Sequence, residues 1–376
     1  MSALVPSDSS STPYTGTRLI RCWTGQSRFI EGGNVSYGLN AGVVDEQQLT
    51  RALNAGRNIL LTDDYVETTD YHGATTFGRT PPVWKDFFQR NYAEKVRGSV
   101  LKSSHYTTDL LGNRFRCCMA NSQKGWGISM RALPLKIPSL RDDLQLDWNI
   151  IRELTEGSGL TLFAGRMGSG KSTTMSASIG CLDPRASQIA TVEDPIEVIY
   201  PSHSIIQREI GTHVENFAEA IRDCVRQSRT TIVVSEIRDS ETANAALLAA
   251  STGHSVFATI HADNVFDIYT RMSALIDPRY ERVLARNLRG LWWQHVVRFG
   301  TADRKPLPVY ESLLVDYEAR NIFEKGTTAL PMLASVMERQ KRKNMTEIAM
   351  GHVSQRRATR EEMAEFIHRR NRIAED

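Results

Sequence analysis

The stretch from Gly159 to Thr173 constrains this chain more than any other. Leu160–Ala164 is an apolar run that reads as a buried strand, and it feeds a loop of the form G-x-x-x-x-G-K-S from Gly165 to Ser172. A helical stretch follows from Thr173 to Ile179, closed by Gly180. Strand, loop and helix in that order separate a phosphate-binding loop from a chance match. The glycines let backbone N–H groups turn inward around a phosphate. The helix N-terminus adds unpaired donors and a partial positive charge. Gly165, Arg166, Met167, Gly168, Ser169, Gly170, Lys171, Ser172 and Thr173 are therefore the expected phosphate cradle. Lys171 is placed to reach the β- and γ-phosphates and Ser172 to ligate Mg²⁺.

With 376 residues the chain is long enough for two or three domains. Its 41% hydrophobic and 24% charged content is that of a soluble globular protein. No apolar run approaches the length of a membrane span, and residues 1–8 have neither a basic nor an apolar signal region. The five cysteines are scattered without a C-x-x-C pair, so neither a disulfide framework nor a structural zinc site is expected, and a reducing cytosol fits. The net charge is only +3, and most of the excess lies in residues 338–372, with ten Lys or Arg against five Glu. Such a run is either a solvated helix face or a docking surface for an acidic partner or a membrane.

Taken in order, residues 1–16 are rich in Ser, Thr and Pro and read as a disordered leader. Residues 17–133 mix short β-prone pieces (Arg18–Trp23, Arg114–Met119, Gly127–Arg131) with helices at Asp45–Leu53 and Trp84–Val96, which predicts a small α+β domain. Thr68–Pro82 reads as a loop, and residues 134–149, with Pro134 and Pro138, read as a linker in which Ser139 caps a short helix. The rhythm then becomes strand, loop, helix over residues 150–300. Strands at Ile189–Val192, Thr231–Val234 and Ser255–Ile260 alternate with helices at Phe217–Arg226 and Glu241–Ala250. This predicts a mostly parallel sheet covered on both faces. Ligands of such sheets sit beyond the carboxyl ends of the strands. Gly165–Ser172, Glu193, Glu236 and His261 fall along that one edge. Residues 301–376 predict a strand at Pro308–Leu314 and helices, the last opened by a capping box at Thr359–Glu362.

Cleaving a β–γ phosphoanhydride needs the leaving charge neutralised and a water held in line. Lys171, Ser172 and Mg²⁺ meet the first need. Glu193 and Glu236, each ending a strand, are equal candidates for the second, and Glu236 also for the metal shell. His254 and His261 flank the strand Ser255–Ile260.

Four stretches together resemble the type II/IV secretion ATPases of the PilT/GspE kind. Gly165–Thr173 is similar to their Walker A, Thr191–Glu197 to their acidic box, Val234–Asp239 to their Walker B and Thr252–His261 to their histidine box. Ile206–Gly211 matches the segment these ATPases carry after the acidic box, and Glu318–Ile322 resembles a motif of PilT-type retraction ATPases. Within the superfamily the likeness is to DotB/TraJ-type ATPases of Dot/Icm-like type IV secretion and conjugation systems, and the tetracysteine zinc insert of the extension branch is missing. The resemblance implies a RecA-like ATPase core, a PAS-like N-terminal domain, ATP with Mg²⁺, and a cytoplasmic homohexamer at the inner membrane with secretion or conjugation components. It implies catalytic roles for Lys171, Glu193, Glu236, His254 and His261, and nucleotide contacts from Arg116, Arg131 and Arg208. Two departures stand out. Ser235 occupies a position usually held by glycine, and Ser228–Thr230 replaces Asp-Pro-Asp. The alternatives are a PilT-like pilus retraction motor, a nucleic-acid translocase and a non-hydrolysing sensor. The chain lacks the interleaved aromatic and basic residues of a single-strand binder, so direct nucleic-acid binding is not expected. The pair of glutamates speaks against a sensor.

Overall fold

The computed structural model describes residues 18–21, 27–30, 45–54, 58–69, 75–96, 103–123, 125–183, 185–299 and 304–373; the expected leader at 1–16 lies outside them. The chain divides between Leu133 and Pro134 into two compact units.

In the N-terminal unit β1 (Arg18–Arg21) pairs with β2 (Ser27–Ile30), and α1 (Glu46–Asn54) follows. The remaining elements are β3 (Asn58–Leu61), β4 (Tyr65–Thr69), β5 (Thr75–Arg79), α2 (Pro82–Lys95), β6 (Ser103–Leu110), β7 (Asn113–Ser122) and β8 (Gly125–Ala132). They form a six-stranded antiparallel sheet in the order β5-β4-β3-β8-β7-β6. Strand β7 alternates Phe115, Cys117 and Met119 inward with Arg114, Arg116 and Cys118 outward, the pattern of a sheet with one solvated face. Helix α2 starts with Pro82 at its first position and lays Trp84, Phe87 and Phe88 on the inner face. Of the loop expected at Thr68–Pro82, residues 70–74 lie outside the described residues, and most of the described part is strand. Thr75–Arg79 forms an antiparallel ladder with β4, Thr69 opposite Thr75, because the ladder satisfies the backbone of a Thr-rich segment whose Gly and Pro residues lie towards its end.

In the C-terminal unit α3 (Trp148–Thr155) leads into β9 (Gly159–Ala164), α4 (Lys171–Gly180) and β10 (Ile189–Glu193). After these come β11 (Ile206–Glu209), α5 (Phe217–Arg226), β12 (Thr231–Val234), α6 (Ser240–Ser251) and β13 (Ser255–Ile260). Next are α7 (Asp267–Leu275), α8 (Glu281–Asn287), β14 (Leu288–Val297) and β15 (Leu307–Leu314). The tail is α9 (Tyr317–Phe323), α10 (Leu333–Arg339), α11 (Met345–Ser354) and α12 (Ala364–Ile373). The seven strands run in the order β11-β10-β12-β13-β9-β14-β15, parallel except for the β14–β15 pair. Strand β9 is buried along its whole length, as a parallel strand covered on both faces must be. One face packs α3 and α4 through Phe163, Met175, Val233, Phe257 and Trp292. The other packs α5, α6 and α7 through Val192, Ile232, Val256 and Leu288.

The segment expected as a linker is part of this unit. Leu140 and Leu146 bury their side chains in the α3–α4 face, and Ser139 closes a turn rather than capping a helix, accepting from the Asp142 N–H at 3.1 Å. The last helix starts later than its capping box: Thr359 and Glu362 exchange the expected bonds, but the residues between them form a turn before α12 begins at Ala364.

Candidate nucleotide-binding site

Loop Gly165–Gly170 leaves the carboxyl end of β9 and turns into α4. Gly168 and Gly170 adopt the left-handed conformation, and Gly170 is the α4 N-cap with no side-chain cap bond, so the first helical turn keeps its N–H groups for an external acceptor. Ser169 is buried and its Oγ has no hydrogen-bond partner. Met167 stands at the tip, 84% exposed, and Arg166 pairs with Asp263 at 2.8 Å. Lys171 is almost fully buried. Burial lowers its amine from the usual lysine range, against the pull of Glu236 and Glu197. An uncapped helix start, an orphaned hydroxyl and a desolvated amine make a cradle for a polyanion.

Three strand ends face the loop. Glu236, just beyond β12, has both oxygens engaged: Arg238 Nε donates to Oε2 at 2.6 Å and His261 Nε2 to Oε1 at 2.7 Å. Arg238 also reaches Asp194 at 3.5 Å. Ser235 takes its place without left-handed backbone. Its N–H donates to Val192 O at 2.9 Å, so the departure from glycine carries no strain. Glu193 ends β10, accepting from Thr191 Oγ1 at 2.6 Å and Gln207 Nε2 at 3.0 Å. Burial pushes its carboxyl up, against the pull of those bonds. A dehydrated carboxyl whose proton affinity is raised this way is a candidate proton acceptor.

Two expected site residues lie elsewhere. His254 precedes β13 at its amino end, seven steps from His261, roughly 23 Å at strand rise. It bonds Ala249 O and Thr252 there and takes no part in the rim. Arg208 pairs across the β10–β11 ladder with Val192, whose side chain faces α5, and it accordingly meets Asp223 of α5 at 3.5 Å. Strand alternation turns Gln207 rather than Arg208 towards Glu193. Arg116 and Arg131 are direct cross-strand partners on the outer face of the N-terminal sheet, lining a cavity of about 360 Å³ with Glu67 and Cys118.

Sequence reasoning did not single out Gln207, Arg238, Gln294 or Arg298. Gln294 and Arg298, on and just beyond β14, bond the carbonyls of Ser169 and Gly168. Leu288–Val297 mixes Arg289, Gln294 and His295 into an otherwise apolar stretch, and nothing local in it points to the loop. Among the described residues no cluster of three or more His, Cys, Asp or Glu forms a metal cage. The donor set, a hydroxyl and a carboxylate beside phosphates, still fits Mg²⁺, which commonly takes one or two protein ligands and completes its shell with phosphate and water.

The type IV pilus retraction ATPase PilT of Pseudomonas aeruginosa is 34% identical over 187 residues, covering 49% of this chain and 54% of that protein. The chain spans about half the length of the curated relatives it matches. Among solved structures, the pilus retraction motor PilT with bound ADP superposes with a TM-score of 0.71 at 27% identity, over 85% of this chain and 95% of that one. The Legionella pneumophila ATPase DotB does so with a TM-score of 0.67 at 26% identity, over 82% and 90%. The family described as type II/IV secretion system protein matches residues 127–375. The chain belongs to the type II/IV secretion system protein family.

Proposed function

We propose that the chain hydrolyses ATP to ADP and phosphate, and that a cytoplasmic homohexamer of it, held peripherally at the inner membrane, powers a type IV secretion or conjugative transfer apparatus. The observation that carries the chemical half is the placement of the buried amine Lys171 and two carboxylates, Glu193 and Glu236, on one strand-end rim. Lys171 neutralises charge building on the phosphate oxygens. Ser172 and Glu236 would hold Mg²⁺, which would supply further charge neutralisation. Glu236, gripped by Arg238 and His261, orients the water shell, and Glu193 takes the proton of the attacking water. The secretion branch draws support from the likeness to DotB.

A second reading, a pilus retraction motor, is favoured by the likeness to PilT in sequence and structure. Its chemistry is the same and its load differs. Steady-state turnover and native mass of wild type, Lys171→Ala and Glu236→Gln test the proposal. Hexameric, active wild type with two inactive variants, Glu236→Gln still binding nucleotide, is the expected result. A wild type that binds ATP as a monomer and never hydrolyses it overturns it. Gene deletion scored for conjugation and for twitching separates the two loads.

A further inference from the structure

The phosphate loop is held from behind by β14, and the side chain that does most of the holding is Gln294. Gln294 is 2% exposed. Its Oε1 accepts from the Trp292 indole at 2.7 Å and from Thr174 Oγ1 at 2.7 Å. An indole N–H only donates, so this contact fixes which end of the amide is oxygen. The NH₂ group is therefore forced towards the loop, where it donates to Ser169 O at 2.7 Å. Four residues on, Arg298 Nη2 donates to Gly168 O at 2.8 Å. Two successive loop carbonyls are thus drawn to the β14 side. The peptide planes that follow each carbonyl carry the N–H groups of Ser169 and Gly170 on their opposite edges; the Ser169 N–H donates to Arg166 O at 3.1 Å and closes the loop on itself, while the Gly170 N–H is turned towards the side where an anion would sit.

We infer that Gln294 and Arg298 are positioning residues that preset the loop as an anion nest before any nucleotide arrives. Neither touches phosphate in this scheme. Each acts by fixing a peptide plane, so that binding does not also have to order the loop. The fit is close: a Cβ on Gly165 would lie 2.3 Å from Gln294 O, and one on Gly170 2.9 Å from Gln294 Nε2. The inference rests on the loop binding a nucleoside triphosphate.

The test is the affinity of the full chain for a fluorescent ATP analogue, read by anisotropy, beside thermal melts. The variants are Gln294→Met, Gln294→Glu, Arg298→Met and Thr174→Val. Losing one hydrogen bond that orders the loop predicts roughly tenfold weaker binding for Gln294→Met and about fivefold for the exposed Arg298→Met. Thr174→Val, which removes only a bond to the amide oxygen, stays within about twofold. Gln294→Glu carries its own signature. Its carboxylate cannot donate to Ser169 O, but burial favours the protonated form, which can. Its affinity relative to wild type therefore recovers as pH is lowered from 8 to 6, a response no packing defect produces. Folded Gln294→Met and Arg298→Met that bind as wild type overturn the inference. If Gln294→Met does not fold, Arg298→Met and the pH response decide. Wild type that binds no nucleotide removes the functional reading itself, and this inference with it.

Discussion

Strand β14 imposes a graded tolerance on the phosphate-loop glycines that phosphate binding alone does not. Gly168 and Gly165 both carry positive φ, +74° and +148°. A methyl on Gly168 would meet nothing within 4 Å, whereas on Gly165 it would sit 2.3 Å from Gln294 O and 2.4 Å from Ser169 Oγ. Gly168→Ala therefore costs backbone strain only, about 1 kcal/mol. Gly165→Ala combines strain of about 1–3 kcal/mol with overpacking of about 1–3 kcal/mol, since β14 is hydrogen-bonded between β9 and β15 and cannot withdraw. For a unit of this size each kcal/mol moves Tm by about 2–4 °C, which gives roughly 2–4 °C for Gly168→Ala and, with the two costs at mid-range summing to about 4 kcal/mol, roughly 8–16 °C for Gly165→Ala. Calorimetry of the nucleotide-free protein reads the difference. Equal losses in the two variants would refute the argument, because φ alone would then set the cost.

Three further outcomes follow from the site. His261→Ala frees one oxygen of Glu236 and should lower kcat by about 10–100-fold with little change in KM, while His254→Ala, at the far end of β13, leaves both within about twofold in a coupled ATPase assay. Lys171→Met should abolish nucleotide binding and yet raise the Tm of the nucleotide-free protein at pH 7 by roughly 1–3 °C, because it removes a charge the fold desolvates. Burial raises the Glu193 carboxyl above its unfolded value, so the folded state holds its proton longer. Its contribution to stability falls as pH climbs from the unfolded carboxylate range through the raised folded value, and is flat above that. Chemical unfolding from pH 4 to 7 should therefore show Glu193→Gln gaining on wild type as pH rises, and a constant gap would count against the buried-carboxylate account.

Much of the core was legible because its signals are local. A parallel strand buried on both faces is a short apolar run, and the ends of Thr231–Val234 and Ser255–Ile260 match the strands observed. The rule that ligands sit at carboxyl strand ends then brings Lys171, Glu193, Glu236 and His261 to one rim. The same rule excludes His254, whose place in a recognisable box outweighed its place before the strand. Arg208 was misplaced for a related reason: strand alternation, which depends on register, sends it to α5. The hairpin of β4 and β5 was hidden because its Gly and Pro residues read as breakers, while the ladder that stabilises Thr75–Arg79 is formed with residues outside the segment.

Sequence alone set out the parts of the rim: a loop with the spacing of a phosphate loop, and strand-ending carboxylates beside it. Those features depend on residue type and on neighbours a few positions away, and such interactions are written into the chain. The tertiary structure decided what holds the chemistry in place. Gln294 lies 125 residues from Ser169, and Arg298 lies 130 from Gly168. Both meet the loop only because β14 inserts next to β9. A contact of that separation leaves no periodic trace in either segment, since it exists only once the sheet has chosen its strand order.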